Sequence, residues 1–456
     1  MEPTALRFGG GTGATLLHPL VVLAMVLAII LILCLRRQYV IAPLLLAIFF
    51  IPKGQVLVVA GAHFTAAQVL FLTGLGRWIV SRRSSRLTGG FNSIDRIFVL
   101  WALSSLLVFS LQWMNGQALL KSLGDFLDAV GGYFVLRFLI QDAEDVKRTI
   151  KVFALIAIIA AACMINEQLT GTNIFARLGG MPPTTVRDGS IRSQAAFEVF
   201  ITAGAYGATL LPLAVWLWSK SRVGAVLGVA GATVMTLTCH ASTTLSAYVA
   251  GIFGLCLWPL RKKMRLVRWG MVATLVGLHL VMNGPVWSLI EKVDLTGSSS
   301  SYHRYMLIDN CIRHFGDWWL LGVKDYDKWG FDMWDLSDQY VAYAVSGGLL
   351  TLALFVGLIS KSFARLGAAR KLAEGNREEE WFLWCLGAAL FAHVVAYFGI
   401  GYFDQMQFAW LALLAIICVA VSEAKGPAAD QVQEEVPASA CQVDGPTNWS
   451  VLETIQ

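Results

Sequence analysis

The residues of this chain best suited to chemistry lie together between Gly297 and Leu350. Arginine, histidine and aspartate side chains alternate there with tryptophans, whereas the flanking segments are almost wholly apolar. A chain inside a bilayer cannot expose such a stretch to lipid, because its polar groups would lack hydrogen-bond partners. We therefore expect the stretch to lie at the membrane surface, facing water or a cavity, and to carry the functional residues.

The beginning of this stretch is predicted to be a helix. A run of serines precedes the segment from Tyr302 to Phe315, and serine is a favourable helix N-cap. The helix places His303 on one face and Arg304 on the adjacent face. An amphipathic helix of this kind could simply lie along the membrane surface, with Arg304 and Arg313 reaching the lipid head groups. For Arg313, this interpretation and a functional role are equally well supported. For Arg304, a functional role is better supported.

The same stretch raises the question of a metal site. His303 and His314 lie among aspartates that include the triplet Asp325-Tyr326-Asp327. The histidines lack the close H-x-x-x-H spacing of a metal-binding helix, so the signal is weak. Enzymes that use nucleotide sugars hold a divalent cation with such a triplet, but nucleotide sugars are cytoplasmic and this triplet falls on the predicted outer side. We predict a solvated loop here, no metal site and no cofactor.

Asp338 ends the polar stretch, in the sequence D-L-S-D-Q-Y directly before an apolar helix. A carboxylate at the membrane boundary is desolvated, which raises its pKa and suits it to accept a proton from a hydroxyl group. A simpler role is also open, since an aspartate in the first turn of a helix favours the helix dipole. The local sequence alone favours the simpler role.

A second polar element places Arg192 at the mouth of an apolar helix, within the segment from Arg187 to Leu213. An arginine in this position is often only an anchor at the membrane interface. Two guanidinium groups that face one cavity repel each other unless they share an anion, and a pyrophosphate matches their geometry. Arg192 therefore becomes a candidate if Arg304 converges on the same place.

Membrane helices must position these residues. The chain has 456 residues, of which 57% are hydrophobic and only 14% are charged. Its repeated apolar runs are long enough to cross a hydrocarbon core of about 30 Å. They predict an all-α, polytopic transmembrane helical bundle of about 12 or 13 spans at roughly 20 residues each, with a long, partly helical outer loop. A soluble protein is excluded, nothing indicates nucleic-acid binding, and the cysteines show no C-x-x-C spacing.

Basic residues in the short loops set the predicted orientation, because such residues favour the cytoplasmic side. Residues 1–38 are predicted to hold the first membrane helix, not a cleaved signal peptide. Residues 39–424 form the transmembrane domain, with outer loops at 166–193 and 283–340, and residues 425–456 form a disordered cytoplasmic tail. Tyr39–Ile51 is short for a span, and Val56–Val80 is predicted to run back as one helix.

These motifs occur in a recognisable order. A glycine-rich outer loop carries R-x-x-x-x-F before a helix that ends in L-P-L, and a helical hairpin follows. The long outer loop then opens with S-x-x-R-Y, continues with D-W-W-L-L-G-V, and ends in a polar pair followed by Y-x-x-Y-x-x-x-G-G-L-L. Over roughly Tyr39 to Val421, this order resembles the O-antigen ligase and O-antigen polymerase family, which includes bacterial exopolysaccharide polymerases.

The resemblance implies a metal-independent, inverting, GT-C-like glycosyltransferase of the bacterial inner membrane, with its active site facing the periplasm. Its donor would be a glycan on undecaprenyl pyrophosphate, and its acceptor a glycan or lipid hydroxyl. Membrane lipid and the polysaccharide-export machinery are the other expected partners. The positions that match the family's pyrophosphate-holding arginines are Arg192 and Arg304.

In the resembled family, the pair His-Asn usually precedes the tyrosine that opens the next apolar helix. This chain departs from that pattern, because it has Asp338-Gln339 at the same place. Asp338 could serve as the general base, because a carboxylate also accepts a proton, or it could only orient the acceptor. The departure slightly favours an exopolysaccharide polymerase over a ligase. The further candidates for substrate binding are Arg313, Gln339, His303, Tyr340 and Trp334.

Two other classes of function stay open. A transporter or flippase for a polyprenyl-linked or other anionic solute needs broken helices or charges deep in several spans. Such charges are few here, and Arg137 is the clearest. In a structural or sensory scaffold, the aromatic outer loop would be only an interaction surface.

Overall fold

The computed structural model of the chain describes residues 15, 17–59, 62–81, 87–179, 181, 183–187, 189–292, 300–330 and 332–424. The predicted tail, 425–456, lies outside the described residues, as do residues 1–14 and the first two serines of the run before Tyr302. The predicted transmembrane domain and both outer loops are described apart from these short gaps.

The described chain is almost wholly helical, which confirms the predicted all-α, polytopic helical bundle. The helices of its first half are α1 (Pro19–Cys34), α2 (Arg37–Phe50), α3 (Ala66–Val80), α4 (Ser93–Trp113), α5 (Gly116–Phe126), α6 (Gly132–Leu139) and α7 (Ala143–Thr170). A π-helical turn, Leu127–Gly131, joins α5 to α6. Two antiparallel hairpins are β1 (Val56–Val59) with β2 (Ala62–Thr65), and β3 (Val186–Arg187) with β4 (Ser190–Ile191).

The second half continues the helical pattern. Its helices are α8 (Phe200–Trp216), α9 (Arg222–Thr238), α10 (Ser242–Cys256), α11 (Met264–Val281), α12 (Leu289–Lys292), α13 (Ser300–Arg313), α14 (Phe315–Trp318), α15 (Gln339–Leu372), α16 (Arg377–Ala396) and α17 (Asp404–Glu423). Seven helical runs of the described chain are long and apolar enough to cross a membrane, and five shorter apolar helices accompany them. The predicted number of about 12 or 13 spans therefore requires the shorter helices to cross as well.

The prediction of one helix over Val56–Val80 is wrong in its first part. Val56 pairs with Thr65 at the open end of the β1–β2 hairpin, and the helix α3 begins only at Ala66. Thr65 and Gln68 cap that helix reciprocally, each side chain bonding the other's backbone N–H. The β-branched residues before the cap favour strand over helix, so apolar character alone misplaced the helix start.

The polar contacts of the bundle gather at two ends. At one end, which we call the site end, the segments 171–199, 300–338 and 397–403 meet. There the Gln339 N–H donates to the Tyr397 carbonyl over 2.8 Å, and Gln405 Nε2 donates to the Ala196 carbonyl over 2.9 Å. The opposite end, which we call the basic end, holds ion pairs of residues at the helix ends and in the loops beside them. These pairs are Arg37–Asp145, Arg148–Asp145, Arg261–Glu380, Arg370–Glu380, Lys262–Glu374 and Lys220–Glu378.

Arg137, the clearest charge within a predicted span, lies at the basic end. Its Nε is 3.2 Å from Asp95 Oδ1, and its Nη2 donates to the carbonyls of Thr88 and Gly90. The Tyr133 hydroxyl donates to the same carboxylate over 2.6 Å. Removing one partner of such a buried pair typically costs about 3–5 kcal/mol, so these contacts give Arg137 a structural role where α4 begins and α6 ends.

Candidate active site

A small apolar cluster fixes the helix α13 against the first turns of α15. Its buried members are Leu307, Cys311, Trp318, Met333, Val341, Ala344 and Val345. The Trp318 indole also donates to the Cys311 carbonyl over 2.7 Å. Because Arg304 lies one turn before Leu307 and Asp338 lies directly before α15, this cluster holds the two candidate residues at the site end.

Arg304 lies on the buried face of α13 and is only 4% exposed. Its Nε donates to the Gly399 carbonyl over 3.2 Å. Burial lowers the pKa of Arg304 to about 10, Asp335 and Asp338 act against that shift, and the nearby charges of Arg187 and Arg192 add to it. Arg304 therefore stays charged at neutral pH within a group of opposed charges.

Arg192 is equally buried, at 4% exposure. Its backbone N–H donates to the Thr185 carbonyl over 2.8 Å, and its guanidinium carbon lies 5.1 Å from the centre of the Phe200 ring. A cation over an aromatic face is favoured electrostatically. The segment directly after Arg192 is held by Glu167, whose carboxylate accepts hydrogen bonds from the backbone N–H groups of Gln194 and Ala195. These contacts hold Arg192 at the entrance of α8, where its charge acts on Arg304.

Asp338 is fully buried, and its two carboxylate oxygens have different surroundings. Oδ1 accepts the Val341 N–H over 2.9 Å and so caps α15. Oδ2 has no hydrogen-bond partner among the described residues. Burial raises the pKa of Asp338 to about 7, against the lowering effect of the Val341 and Tyr340 backbone N–H groups and of Arg304. Asp338 thus caps α15 through one oxygen, in place of the predicted position in the first turn, and is a candidate base through the other.

The other half of the polar pair, Gln339, positions the segment that follows α16. Its N–H donates to the Tyr397 carbonyl, and its side-chain oxygen accepts the Tyr402 N–H. The Tyr402 hydroxyl in turn lies 2.8 Å from His393 Nδ1. These contacts fix the first turn of α15, and with it the direction of the Asp338 carboxyl group. Sequence reasoning missed Tyr402 and His393, although the run Y-F-G-I-G-Y-F between the last two long helices was a visible signal.

The sequence analysis also missed Gly399, whose backbone is in contact with the Arg304 side chain. A Cβ added at Gly399 would lie 2.6 Å from Arg304 Nε and would also overlap Thr243. We predict that Gly399→Ala displaces the guanidinium group and lowers the activity of the chain about 100-fold, measured as an initial rate in purified membranes. Gly401→Ala is the matched control, because a Cβ there meets the Leu336 carbonyl oxygen at 3.4 Å and the Phe403 ring at 3.9 Å, which are ordinary contact distances. Equal activity of both variants would contradict this role.

Three further candidates lie at or beyond the rim of the site. His303 is half-buried, with Nε2 3.0 Å from the Asp335 carbonyl oxygen. The Tyr340 hydroxyl donates to the Val394 carbonyl, and its ring packs 4.8 Å from that of Phe398. Trp334 is 70% exposed. His303 is therefore placed to touch a substrate, Tyr340 packs into the helix bundle, and Trp334 faces outward.

The structure does not bring Arg313 into the site. Its side chain is exposed, with Nε 2.7 Å from Asp309 Oδ2, and the Trp287 indole donates to the other oxygen of Asp309. We predict that Arg313→Gln changes the activity by no more than about twofold, because the Arg313 side chain is exposed and contacts only Asp309 outside the site. The same assay on Arg304→Gln, a substitution on the buried face of the same helix, provides the contrast. A loss as large in Arg313→Gln as in Arg304→Gln would contradict this placement.

The aspartate triplet lies away from the buried charges. Asp325 and Asp327 are exposed, and Lys328 Nζ lies 2.9 Å from Asp325 Oδ2. This is the environment of the solvated loop that the sequence predicts. Among the residues that the structure describes, no group of three or more histidine, cysteine, aspartate or glutamate side chains could hold a metal ion.

A third arginine near the site was not predicted. Arg187 ends β3, pairs with Ser190 across the hairpin, and its charge acts on Arg304. Arg187 is exposed, so it adds positive charge at the entrance of the site.

Comparison with known proteins identifies no family for this chain. No family model matches its sequence, and a search of curated proteins finds no significant match. The resemblance in motif order therefore stays a prediction, and the argument for function depends on the geometry at the site end.

Proposed function

We propose that this chain is a membrane glycosyltransferase of bacterial surface polysaccharide assembly. It would transfer or polymerise a glycan from an undecaprenyl-pyrophosphate donor onto a sugar hydroxyl at the periplasmic face. The observation that carries the proposal is the burial of Arg192 and Arg304, from separate segments, close enough to repel each other and beside the buried carboxyl group of Asp338. The motif order supports the same conclusion.

Two guanidinium groups buried together are unfavourable unless negative charge accompanies them. Asp335 and Asp338 supply part of that charge in the absence of substrate. A pyrophosphate supplies more, and its oxygens match the planar fork of an arginine side chain. The pair of arginines therefore suits the pyrophosphate of a lipid-linked donor better than it suits a neutral substrate.

The proposed transfer needs one base that accepts the acceptor's proton and positive groups that stabilise the negative charge on the leaving group. As the bond from the anomeric carbon to the pyrophosphate oxygen breaks, negative charge grows on the leaving group, where Arg192 and Arg304 stabilise it. On the opposite face of that carbon, the acceptor oxygen forms the new bond and gives its proton to Asp338 Oδ2. Attack opposite to departure gives inversion, and the guanidinium groups take the charge-neutralising role without a metal ion.

The distribution of charge supports the proposed orientation. The basic end holds the ion-paired residues Arg37, Arg148, Lys220, Arg261 and Arg370, at the helix ends or in the loops beside them. Basic loops favour the cytoplasmic side of a bacterial inner membrane. The site end would then face the periplasm, where lipid-linked glycans are assembled into polymers and where export machinery could receive the product.

A transporter or flippase is the alternative function. That function requires charges deep in the spans, and the clearest candidate, Arg137, instead forms a structural pair with Asp95 at the basic end. The enzyme is therefore the better-supported proposal, with an exopolysaccharide or O-antigen polymerase slightly favoured over a ligase because of Asp338.

The direct test is reconstitution of the purified full chain with a lipid-linked oligosaccharide. Polymerase activity extends the lipid-linked chain, whereas ligase activity moves the glycan onto lipid A, and gel separation distinguishes the two products. Vesicles that move the donor across the bilayer without forming any glycosidic bond would instead establish the flippase.

A further inference from the structure

The helix α15, which follows Asp338, is interrupted although it is long and apolar enough to span a membrane. At Gly348 the backbone has φ 66° and ψ −173°, which is far from helical values and in a region that essentially only glycine adopts. The interruption separates a short outer half-helix, residues 339–347, from a long inner half, residues 349–372. A break in a spanning helix frees backbone polar groups that lipid cannot bind, so other segments must bind them.

The outer loop supplies partners for these groups. The Leu349 N–H donates to the Trp319 carbonyl over 2.9 Å. The Val323 N–H donates to the Val345 carbonyl over 2.8 Å. The same Val345 carbonyl accepts a hydrogen bond of 3.2 Å from Nε2 of Gln112, near the end of α4. These five residues, together with the glycine at the break, form what we call the α15 joint.

The loop and the broken helix meet backbone to backbone at this joint. A Cβ added at Gly348 would lie 2.5 Å from the Leu320 carbonyl oxygen. A Cβ added at Gly322, where φ is 69°, would overlap the Val345 carbonyl. Because no side chain separates the two backbones, the direction of the outer half-helix depends directly on where the loop lies.

The break also separates two apolar cores. The buried apolar residues of the outer half-helix belong to the small cluster that fixes α13, together with Leu307 and Trp318. The buried apolar residues after the break, which include Phe355 and Leu358, belong to the main core of the helix bundle. The outer half-helix, the loop and α13 therefore pack as one unit, which we call the outer unit (residues 300–330 and 332–347).

The candidate residues of the active site divide between these two bodies. Arg304 and Asp338 belong to the outer unit. Arg192 lies on the side of the bundle, because Phe197 and Phe200, which follow it, belong to the main core. The distance between the two arginines therefore depends on the angle at which the outer unit meets the bundle.

We propose that the α15 joint is a positioning element for the proposed transfer, and that Gly348 is its central residue. The joint sets the direction of the outer half-helix and so places Arg304 and Asp338 relative to Arg192. Aromatic side chains of the outer half-helix also contact the bundle, so the joint sets the angle between two bodies that already touch. This inference rests on the proposed function and adds which residues hold the two parts of the site in register.

The first measurement is the binding of inorganic pyrophosphate to the purified full chain in detergent, by calorimetry. Alanine cannot adopt the backbone angles of Gly348 without strain, so Gly348→Ala should change the angle at the joint and move Arg304 away from Arg192. We expect the Kd for pyrophosphate to rise about tenfold. We also expect the initial rate of chain growth per folded molecule to fall about 100-fold. Gly357→Ala is the matched control in the same helix, because an added Cβ there meets nothing within 4 Å.

A milder variant tests the joint without a change of backbone. Gln112→Leu removes one donor to the Val345 carbonyl, and we expect it to weaken pyrophosphate binding about threefold. Gln117→Leu is its matched control, because Gln117 is exposed at the start of the next helix and should match the unsubstituted chain. Gln112→Leu decides the matter if Gly348→Ala does not fold.

The outcomes separate this inference from the proposed function. If folded Gly348→Ala and Gln112→Leu bind pyrophosphate and extend glycan as the unsubstituted chain does, the positioning role is refuted while the transfer stands. A lower yield of folded Gly348→Ala with unchanged binding per folded molecule would refute it in the same way. If the unsubstituted chain binds pyrophosphate but forms no glycosidic bond, the proposed function fails, whereas weaker binding by Gly348→Ala still supports the placement of the arginines. A chain that binds no pyrophosphate would refute both.

Discussion

Replacing Arg304 or Arg192 with alanine is expected to abolish glycan product while the protein still inserts into the membrane. Each arginine would stabilise the charge that grows on the leaving pyrophosphate, and removing one such group typically costs about 10²–10³ in rate. Both side chains are nearly fully buried at the site end, whereas the third arginine, Arg187, is exposed at its entrance. The measurement is the initial rate of chain growth in vesicles, normalised to the amount of folded protein.

Lysine substitutions sharpen this expectation. Arg304→Lys and Arg192→Lys keep the charge but lose the planar fork that can hold two phosphate oxygens, so we expect partial activity. The double alanine variant should lose little more than either single variant, because both residues act on one group. If Arg192→Ala and Arg304→Ala both keep full activity, the proposed pyrophosphate site is refuted.

Much of the fold was predictable because apolar runs of sufficient length leave few alternatives in a membrane. The exception is instructive, since Val56–Val80 is continuous in apolar character and yet begins with a β-hairpin. The signal lay in the capping pair of Thr65 and Gln68, which marks a helix start that hydropathy does not detect. Apolar length identifies helices well, whereas capping and β-branched residues decide where they begin.

The candidate site was predictable only in part. The sequence singles out Arg192, Arg304 and Asp338 as polar residues close to apolar segments, and in the structure the charges of Arg192 and Asp338 act on Arg304. The run Y-F-G-I-G-Y-F was visible in the sequence, but it did not reveal the contacts of Gly399 with Arg304 and of Tyr402 with Gln339, which join segments far apart in sequence. Local patterns identify side chains with chemical capacity, but only tertiary packing shows which backbone and which neighbours position them.

The second large effect concerns Asp338, in the position where the resembled family usually has histidine. Asp338→Asn keeps the size of the side chain and the helix cap, because asparagine is also a favourable N-cap. It removes the ability to accept a proton, together with the negative charge that acts on Arg304. If Oδ2 is the base, we expect the transfer rate to fall by about 10²–10⁴-fold while the melting temperature changes little. If Asp338 merely orients the acceptor, Asp338→Asn should retain most of the activity.

The pH dependence gives an independent test of the same role. Burial raises the pKa of Asp338 to about 7, and the base acts only when ionised. The rate of the unsubstituted chain should therefore rise about tenfold per pH unit below 7 and level off above it. Asp338→His should restore part of the activity lost in Asp338→Asn, with a midpoint that moves with the imidazole pKa. A rate that does not change between pH 5 and pH 8 would show that another group accepts the proton, and Asp338 would then be only the cap of α15.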